Sequence, residues 1–563
     1  MTEPTFTFDG APVPAAPGQS IAAALTAAGH RAFRQTAKGS TRGVFCGMGV
    51  CQDCLVTVDG VPNRRACMTK ATAGLQVETQ TPFPALDAGA ALPTPLPART
   101  ITPDVLVIGG GAGGLSAAIA ARQAGADVVV LDERRVGGGQ YYKQAADGAP
   151  MDAQQREGAT LLAEARASGA ELLGGVEIWG AFDGPLILAE MDSTALIARP
   201  RTLIVATGAY ERPVMVPGWT LPGVMTTGAA QTLWRSYRTL PGQRVVVCGS
   251  GPLNLQVALE LKRGGADVRL VAEAAPAPWR KPQVAARMAV ADPGLTWKGL
   301  NMVAGLKRSG VPIANATRLT GVEAVAGGLV ARFAGPGQRS REVETDAICM
   351  NAGFEPQNEI LRLLGADMRY DPAFGHLRCV RSDTLETTIP GLYAIGDCAG
   401  LGGAPAARVE GRIAGRVAAF AARGVTETPP PADLANLARH RRFQAQLWQL
   451  YDVAPWSLRD APGDMLLCRC EEVTLAEARA GYGANPGHLG TLKRGTRVGM
   501  GRCQGRYCGP VAARLIAEAD GTPLHDRSFF APRVPIKPVS IAAILAAQTA
   551  LEADAVEARD AAE

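Results

Sequence analysis

Short apolar runs that end in glycine turns recur through the middle of the chain. Val105-Leu106-Val107-Ile108 runs into Gly109-Gly110-Gly111-Ala112-Gly113-Gly114; a helical pattern follows from Leu115 to Ala124, then a second run, Val128-Val129-Val130-Leu131. A strand-length run with no polar alternation predicts a strand covered on both faces, as in a parallel sheet. The same order returns at Arg244, with Val245-Val246-Val247, Gly249-Ser250-Gly251, an amphipathic helix through Leu261, and Val268-Arg269-Leu270-Val271. Two further strand patterns end in Ala206-Thr207-Gly208 and in Ile395-Gly396-Asp397. Strand, glycine turn, helix and strand in this order predict βαβ units, and so an α/β chain.

The flanks have a different pattern. The N-terminal part shows a short alternating strand (Phe6, Phe8), an Asp9-Gly10 turn, an alanine-rich helix near Ile21 to Ala28, and strand-like Leu55-Val56-Thr57-Val58 before Asp59-Gly60. Pro82, Pro84, Pro93, Pro95, Pro97 and Pro103 predict a semi-rigid linker, and Pro429-Pro430-Pro431 marks another break. The expected division is 1–80, a small mixed domain; 81–103, linker; 104–240 with 340–425, the first nucleotide domain; 241–339, the second; 426–463, a helical connection; 464–520, a small C-terminal domain; and 521–563, a tail with a short fraying helix. At roughly 100–200 residues per domain, a chain of 563 residues fits three to five domains.

Composition narrows the function classes. Hydrophobic residues make up 47% and charged residues 19%, which suits core-forming domains rather than disorder. The net charge of +5 is small and scattered, with no basic stripe interleaved with aromatics, so nucleic acid is not an expected partner. No apolar stretch is long enough to span a bilayer, and Met1-Thr2-Glu3-Pro4 does not begin a signal peptide; a cytoplasmic protein is expected.

The first glycine turn carries a nucleotide-binding pattern. Gly109 suits the tight turn, Gly111 lets the backbone approach a pyrophosphate, and Gly114 packs helix against strand. Asp132 or Glu133, about 20 residues on, would take the ribose hydroxyls. In the second unit Gly249 and Gly251 are present, but Asn254 stands where the third glycine belongs, which is expected to loosen helix–strand packing. Glu273 is placed to bind a ribose diol. This unit is left open between an NAD(H) site and a remnant that binds nothing or another nucleotide, NAD(P), ATP or FMN. No C-x2-C or C-x4-C pair lies between 100 and 450, which disfavours disulfide reductase chemistry, and Cys398 stands alone as a structural thiol.

Eight of the twelve cysteines fall into two sets. Cys46, Cys51, Cys54 and Cys67 are spaced C-x4-C-x2-C-x12-C; Cys468, Cys470, Cys503 and Cys508 are spaced C-x-C-x32-C-x4-C. Four thiolates are what a [2Fe-2S] cluster takes, and zinc is the alternative occupant of each set. Gly47 and Gly49 let the first loop curl so that its amides can face the sulfurs. Lys493, Arg494 and Arg497 are candidate counter-charges for the second set.

These motifs carry a resemblance. The Gly138-Gly139-Gln140 loop, the turn at Thr207-Gly208 and the Gly396-Asp397 turn resemble the two-dinucleotide-binding-domain flavoproteins. There the A-T-G turn lies beside FAD, and the Asp397 carboxylate would bond the ribityl chain; without the resemblance Asp397 could equally be a helix cap. The first cysteine set resembles the [2Fe-2S] domains of succinate dehydrogenase iron–sulfur subunits and of small ferredoxin-like dehydrogenase subunits. The second resembles the bacterioferritin-associated ferredoxin (BFD) domain. The implied fold is a Rossmann-like, FAD/NAD(P)-binding flavoprotein with an N-terminal β-grasp-like [2Fe-2S] domain and a C-terminal small helical BFD-like [2Fe-2S] domain.

The whole order is similar to the electron-transfer (α) subunits of opine oxidases, hydroxyproline and proline dehydrogenases and hydrogen cyanide synthase, with the ferredoxin-like domain fused. The resemblance implies FAD, two [2Fe-2S] clusters and a D-amino-acid-oxidase-like flavin partner that oxidises a secondary amine at its C–N bond to an imine. It also implies electrons passing through the C-terminal cluster, the FAD and the N-terminal cluster to an acceptor. A self-sufficient NAD(P)H-dependent ferredoxin or acceptor reductase is the alternative. No catalytic acid or base is assigned, since none of the five histidines sits in a base–nucleophile arrangement.

Overall fold

Two parallel five-stranded sheets form the centre of the molecule, each built on one of the glycine-punctuated runs. The computed structural model describes residues 4–84, 94–454 and 457–560. The expectation for Met1-Thr2-Glu3 and part of the predicted linker, 85–93, lie outside the described residues.

The first sheet is ordered Glu171–Gly174, Val128–Asp132, Val105–Ile108, Thr202–Val205, Leu392–Ala394. Its central strand is buried at every residue, which is why no polar alternation appears in the sequence. The second sheet is ordered Val224–Thr226, Ala347–Asn351, Arg244–Gly249, Asp267–Glu273, Ile313–Asn315. It draws on strands from both sides of the expected 241–339 unit, because Val224–Thr226 and Ala347–Asn351 pair with each other and close the sheet there. Each sheet has an antiparallel companion: Val176–Phe182, Leu186–Met191 and Thr194–Ala198 with the first, and Arg318–Val325, Gly328–Ala334 and Ser340–Thr345 with the second. Ala98–Ile101, expected as linker, is a strand in register with Ala195–Ala198. Backbone pairing overrides proline-rich composition at that point.

The N-terminal domain wraps a five-stranded mixed sheet around helix Ile21–Ala27, which Ser20 caps through its hydroxyl. The C-terminal domain is a two-stranded ladder (Leu466–Cys468 with Val473–Thr474) and helices Leu475–Ala484, Leu489–Thr496 and Gly509–Asp520. The tail is more than a fraying end. Helix Ile541–Asp560 lays Ala547 against Trp179, Leu188 and Ile197 of the first companion sheet.

One helix contact sets the position of the first nucleotide turn. Helix Gly403–Ala421 starts just after Gly396-Asp397 and packs along Ala112–Gln123, the helix that the glycine turn opens. The two backbones approach so closely that a Cβ on Gly411 would lie 2.2 Å from the Gly113 carbonyl oxygen, and one on Gly415 would lie 2.1 Å from that of Ala117. Gly415→Val is therefore expected to cost about 1–3 kcal/mol through overpacking. Thermal unfolding followed by circular dichroism should show a lower midpoint; an unchanged midpoint would show that the contact does not hold the helices.

Candidate functional site

A cavity of about 1190 Å³ runs from the first glycine turn to the second and is lined by residues of both sheets and of both cysteine domains. On the first-sheet side lie Gly109, Gly111, Asp132, Glu133, Gly138 and Gln140, together with Thr207, Gly208, Gly396 and Asp397. The glycines there divide into two kinds. Gly109, at φ +109°, and Gly114 are locked inside the protein: a Cβ on Gly109 would sit 2.4 Å from the Ala206 carbonyl oxygen, and one on Gly114 would sit 1.8 Å from that of Gly109. Gly111 and Gly208 face free space, where a Cβ would meet only Gly139 Cα at 3.8 Å in the first case and nothing within 4 Å in the second. This is a backbone cradle of the shape that lets a pyrophosphate approach amide groups at a helix start.

The two candidate ribose acids separate. Asp132 accepts the Gly110 N–H (2.5 Å) and the Arg134 N–H (2.7 Å), so it sits on the glycine turn; burial pushes its carboxyl up. Glu133 faces Arg65 of the N-terminal domain (2.9 Å) and Lys537 of the C-terminal segment. Burial opposes its ionisation, but Lys537 and Arg65 outweigh that and hold it at about 2. Asp397 Oδ1 accepts the N–H groups of Gly402 and Gly403 (2.8 Å each), at the start of helix Gly403–Ala421, and the residue lines the cavity. Cys398 donates to the carbonyls of Val205 (3.3 Å) and Ile395 (3.2 Å), a structural thiol. Lys143, not singled out in the sequence, is buried at the cavity wall, where it donates to the Gly228 carbonyl (3.2 Å) and Gln231 Oε1 (3.0 Å); burial lowers it to about 7.

The second unit is better packed than its missing glycine predicts. Asn254 is buried, donates to the Asn351 carbonyl (3.1 Å) and accepts from the Thr227 hydroxyl (2.8 Å), tying the helix start to strand and helix neighbours. Gly249 lies against Asn351, while a Cβ on Gly251 would meet nothing within 4 Å. Glu273 accepts N–H groups from Gly251 (3.1 Å) and Ala275 (2.8 Å), and burial raises it to about 7.

Both cysteine sets are gathered by the fold. Among the described residues no three His, Cys, Asp or Glu side chains converge as on one bound ion. The thiols instead approach in pairs: Cys46 with Cys51 and Cys54 with Cys67, then Cys468 with Cys508 and Cys470 with Cys503, the last 3.5 Å apart. Four thiols gathered in each set is the complement that a [2Fe-2S] cluster takes, and also the one that zinc takes. Against burial, the Cys51 thiol and the N–H groups of Met48, Cys51 and Val50 hold Cys46 down at about 6. The Cys508 thiol does the same for Cys468, also at about 6. Gly47 and Gly49 curl the loop as expected, at φ +61° and +80°, and Gly47 also lets it touch helix Thr227–Tyr237, where a Cβ would lie 2.9 Å from Ala229 Cα.

The loops that carry the two sets also meet each other. Cys46, Cys51, Cys503, Phe45 and Tyr507 belong to one buried apolar cluster. The cavity touches both loops, through Met48 and through Tyr507. Of the expected counter-charges, Arg497 pairs with Glu471, the residue after Cys470 (2.7 Å), and Lys493 lies over the Phe530 ring. Arg469 and Arg506 are the buried cations at the second set: Arg469 pairs with Asp53, and Arg506 donates to the Cys503 carbonyl (3.2 Å). The signal for both was in plain view, as charged residues inside the cysteine spacings.

Comparison with known proteins follows this division. Residues 2–82 match a 2Fe-2S iron–sulfur cluster binding domain, 103–419 the pyridine nucleotide-disulphide oxidoreductases, and 466–548 the sarcosine oxidase A3 domain. An opine oxidase subunit of Rhizobium meliloti (strain 1021) is 34% identical over 384 residues, 67% of this chain and 82% of that protein. Hydrogen cyanide synthase subunit HcnB of Pseudomonas aeruginosa is 31% identical over 364 residues, 61% of this chain and 75% of that protein. In fold, the chain is similar to L-proline dehydrogenase from P. horikoshii, with a TM-score of 0.71 at 20% identity over 96% of this chain and 97% of that one. No helix among the described residues is long and apolar enough to cross a membrane.

Glu273 supplies a pH test. Its carboxyl is raised from 4.5 to about 7, so its contribution to stability is full below pH 4.5 and is lost as pH rises through about 7. Glu273→Gln should therefore gain stability over the native chain as pH rises. The gain should reach about 2 kcal/mol by about pH 9: about 3 from the avoided charge, less about 1 for the N–H an amide cannot accept. Unfolding midpoints of the two proteins at about pH 5 and 9 check it; a difference that does not grow with pH would contradict it.

Proposed function

Since the chain belongs to the pyridine nucleotide-disulphide oxidoreductase family, in the group that holds the opine oxidase and hydrogen cyanide synthase (HcnB) subunits, and is a FAD-dependent oxidoreductase with an iron–sulfur domain, we propose that it is the electron-transfer subunit of a hetero-oligomeric dehydrogenase. The substrate class is a secondary amine or amino acid of the opine, hydroxyproline, proline or sarcosine type, oxidised at the C–N bond in a D-amino-acid-oxidase-like flavin partner. One observation carries this reading: a single cavity touches the dinucleotide turn and the loops of both four-cysteine sets.

In this proposal Gly109, Gly111, Gly114, Asp132, Gly138, Gln140, Thr207, Gly208, Gly396 and Asp397 hold FAD. Cys46, Cys51, Cys54 and Cys67 hold one [2Fe-2S] cluster, and Cys468, Cys470, Cys503 and Cys508 a second. Flavin and clusters together supply exchange between two-electron and one-electron chemistry. The chain's own task is to hold them in a water-poor junction. Glu133 contributes to that by clamping the cysteine loop through Arg65, which also donates to the Gly49 carbonyl (3.1 Å), and the C-terminal segment through Lys537.

The second reading, an NAD(P)H-dependent acceptor reductase, is favoured by Gly249 and Gly251 at the far end of the same cavity, with Glu273 buried behind them and accepting the Gly251 N–H. The two readings part in one experiment. The purified chain, anaerobic and alone, is mixed with NADH and then dithionite while the flavin absorbance is followed. No bleaching with NADH and full bleaching with dithionite is the expected result; rapid bleaching with NADH would establish the reductase reading instead.

A further inference from the structure

The two cysteine loops meet across a buried set of charged and aromatic side chains. Arg469 stands between Cys468 and Cys470, and its side chain is 3% exposed. It pairs with Asp53, which stands between Cys51 and Cys54 and is fully buried. Its guanidinium carbon lies 3.5 Å from the centre of the Phe45 ring, next in sequence to Cys46, and 4.8 Å from a Trp219 ring centre. Phe45 in turn meets Tyr507, next to Cys508, with ring centres 5.2 Å apart.

The charges at this junction do not balance. Arg34 also pairs with Asp53, at 2.6 Å, so one carboxylate faces two guanidinium groups. Arg42 and Glu472 form a second buried pair at 3.1 Å, close enough for Arg42 to feel both Asp53 and Arg469. Nε and Nη1 of Arg469 have no hydrogen-bond partner in the protein. A buried cation with unpaired N–H groups is costly unless an anion meets it. A cluster held by four thiolates is such an anion, and reduction makes it more negative, so nearby charge tunes its potential.

We propose that Arg469 is a counter-ion shared by the two four-cysteine sites, held at their junction by Asp53 and Phe45. It is a positioning residue: its charge favours the reduced state at both sites, and the contact makes each site sensitive to charge added at the other. This rests on reading both sets as [2Fe-2S] sites.

The test uses the full chain loaded with iron and sulfide, with iron content measured, then reduced stepwise and read by electron paramagnetic resonance. The two reduced signals should be broadened or split by mutual spin interaction. Arg469→Gln should lower the reduction potential of both signals, Arg469→Lys should stay close to the native values, and Asp53→Asn should raise both. The last variant is nearly isosteric and keeps the test alive if Arg469→Gln fails to fold with Asp53 left short of a partner. Shifts confined to one signal, or two signals that superimpose without interaction, would overturn the inference and leave the cluster reading intact. A missing iron complement at either set would overturn both.

Discussion

A carboxylate with no access to water must be matched by cations, and at Asp53 that requirement joins the two ends of the chain. Arg34 reaches it from the N-terminal domain and Arg469 from the C-terminal one. Burying Arg469 is costly unless an anion meets it, and Asp53 supplies that anion across the domain boundary. The partners of Asp53 come from 34 and 469, far apart in sequence, so the contact between cysteine sets is a property of the assembled molecule. Glu133 repeats the arrangement just after strand Val128–Asp132, where Arg65 and Lys537 close on it.

Around that frame the cavity is shaped mostly by backbone. Gly109 and Gly114 are consumed by packing within the turn, and Gly411 and Gly415 bring a second helix against the one that follows. Where a glycine lacks a neighbour, at Gly111, Gly208 and Gly251, the main chain borders open space. Close packing elsewhere is what lets the main chain border the cavity there, since a ligand's phosphates need backbone at contact distance.

The second nucleotide unit shows how a local rule can be overridden. A glycine usually packs that helix against its strand, and Asn254 replaces it. The side chain makes two hydrogen bonds inside the protein, one to Asn351 and one to Thr227, and the helix stays seated. Its sheet also recruits Val224–Thr226 and Ala347–Asn351 across the expected boundary, a long-range pairing that no local pattern announces.

Much of the site was legible in the chain itself. Apolar runs, glycine turns and cysteine spacing are local, and local geometry is what a nucleotide cradle or a cysteine loop demands; Gly109 to Gly114 and the two cysteine sets are visible for that reason. The sequence alone determined the α/β class, the order of the parts and the chemistry they invite. Tertiary structure decided the rest: Asp132 on the turn while Glu133 binds cations, Asn254 seated rather than loose, and the two cysteine loops joined through Asp53 and Arg469. Each of those outcomes depends on which distant charge or backbone group arrives at a buried position, and burial exists only once the chain has folded.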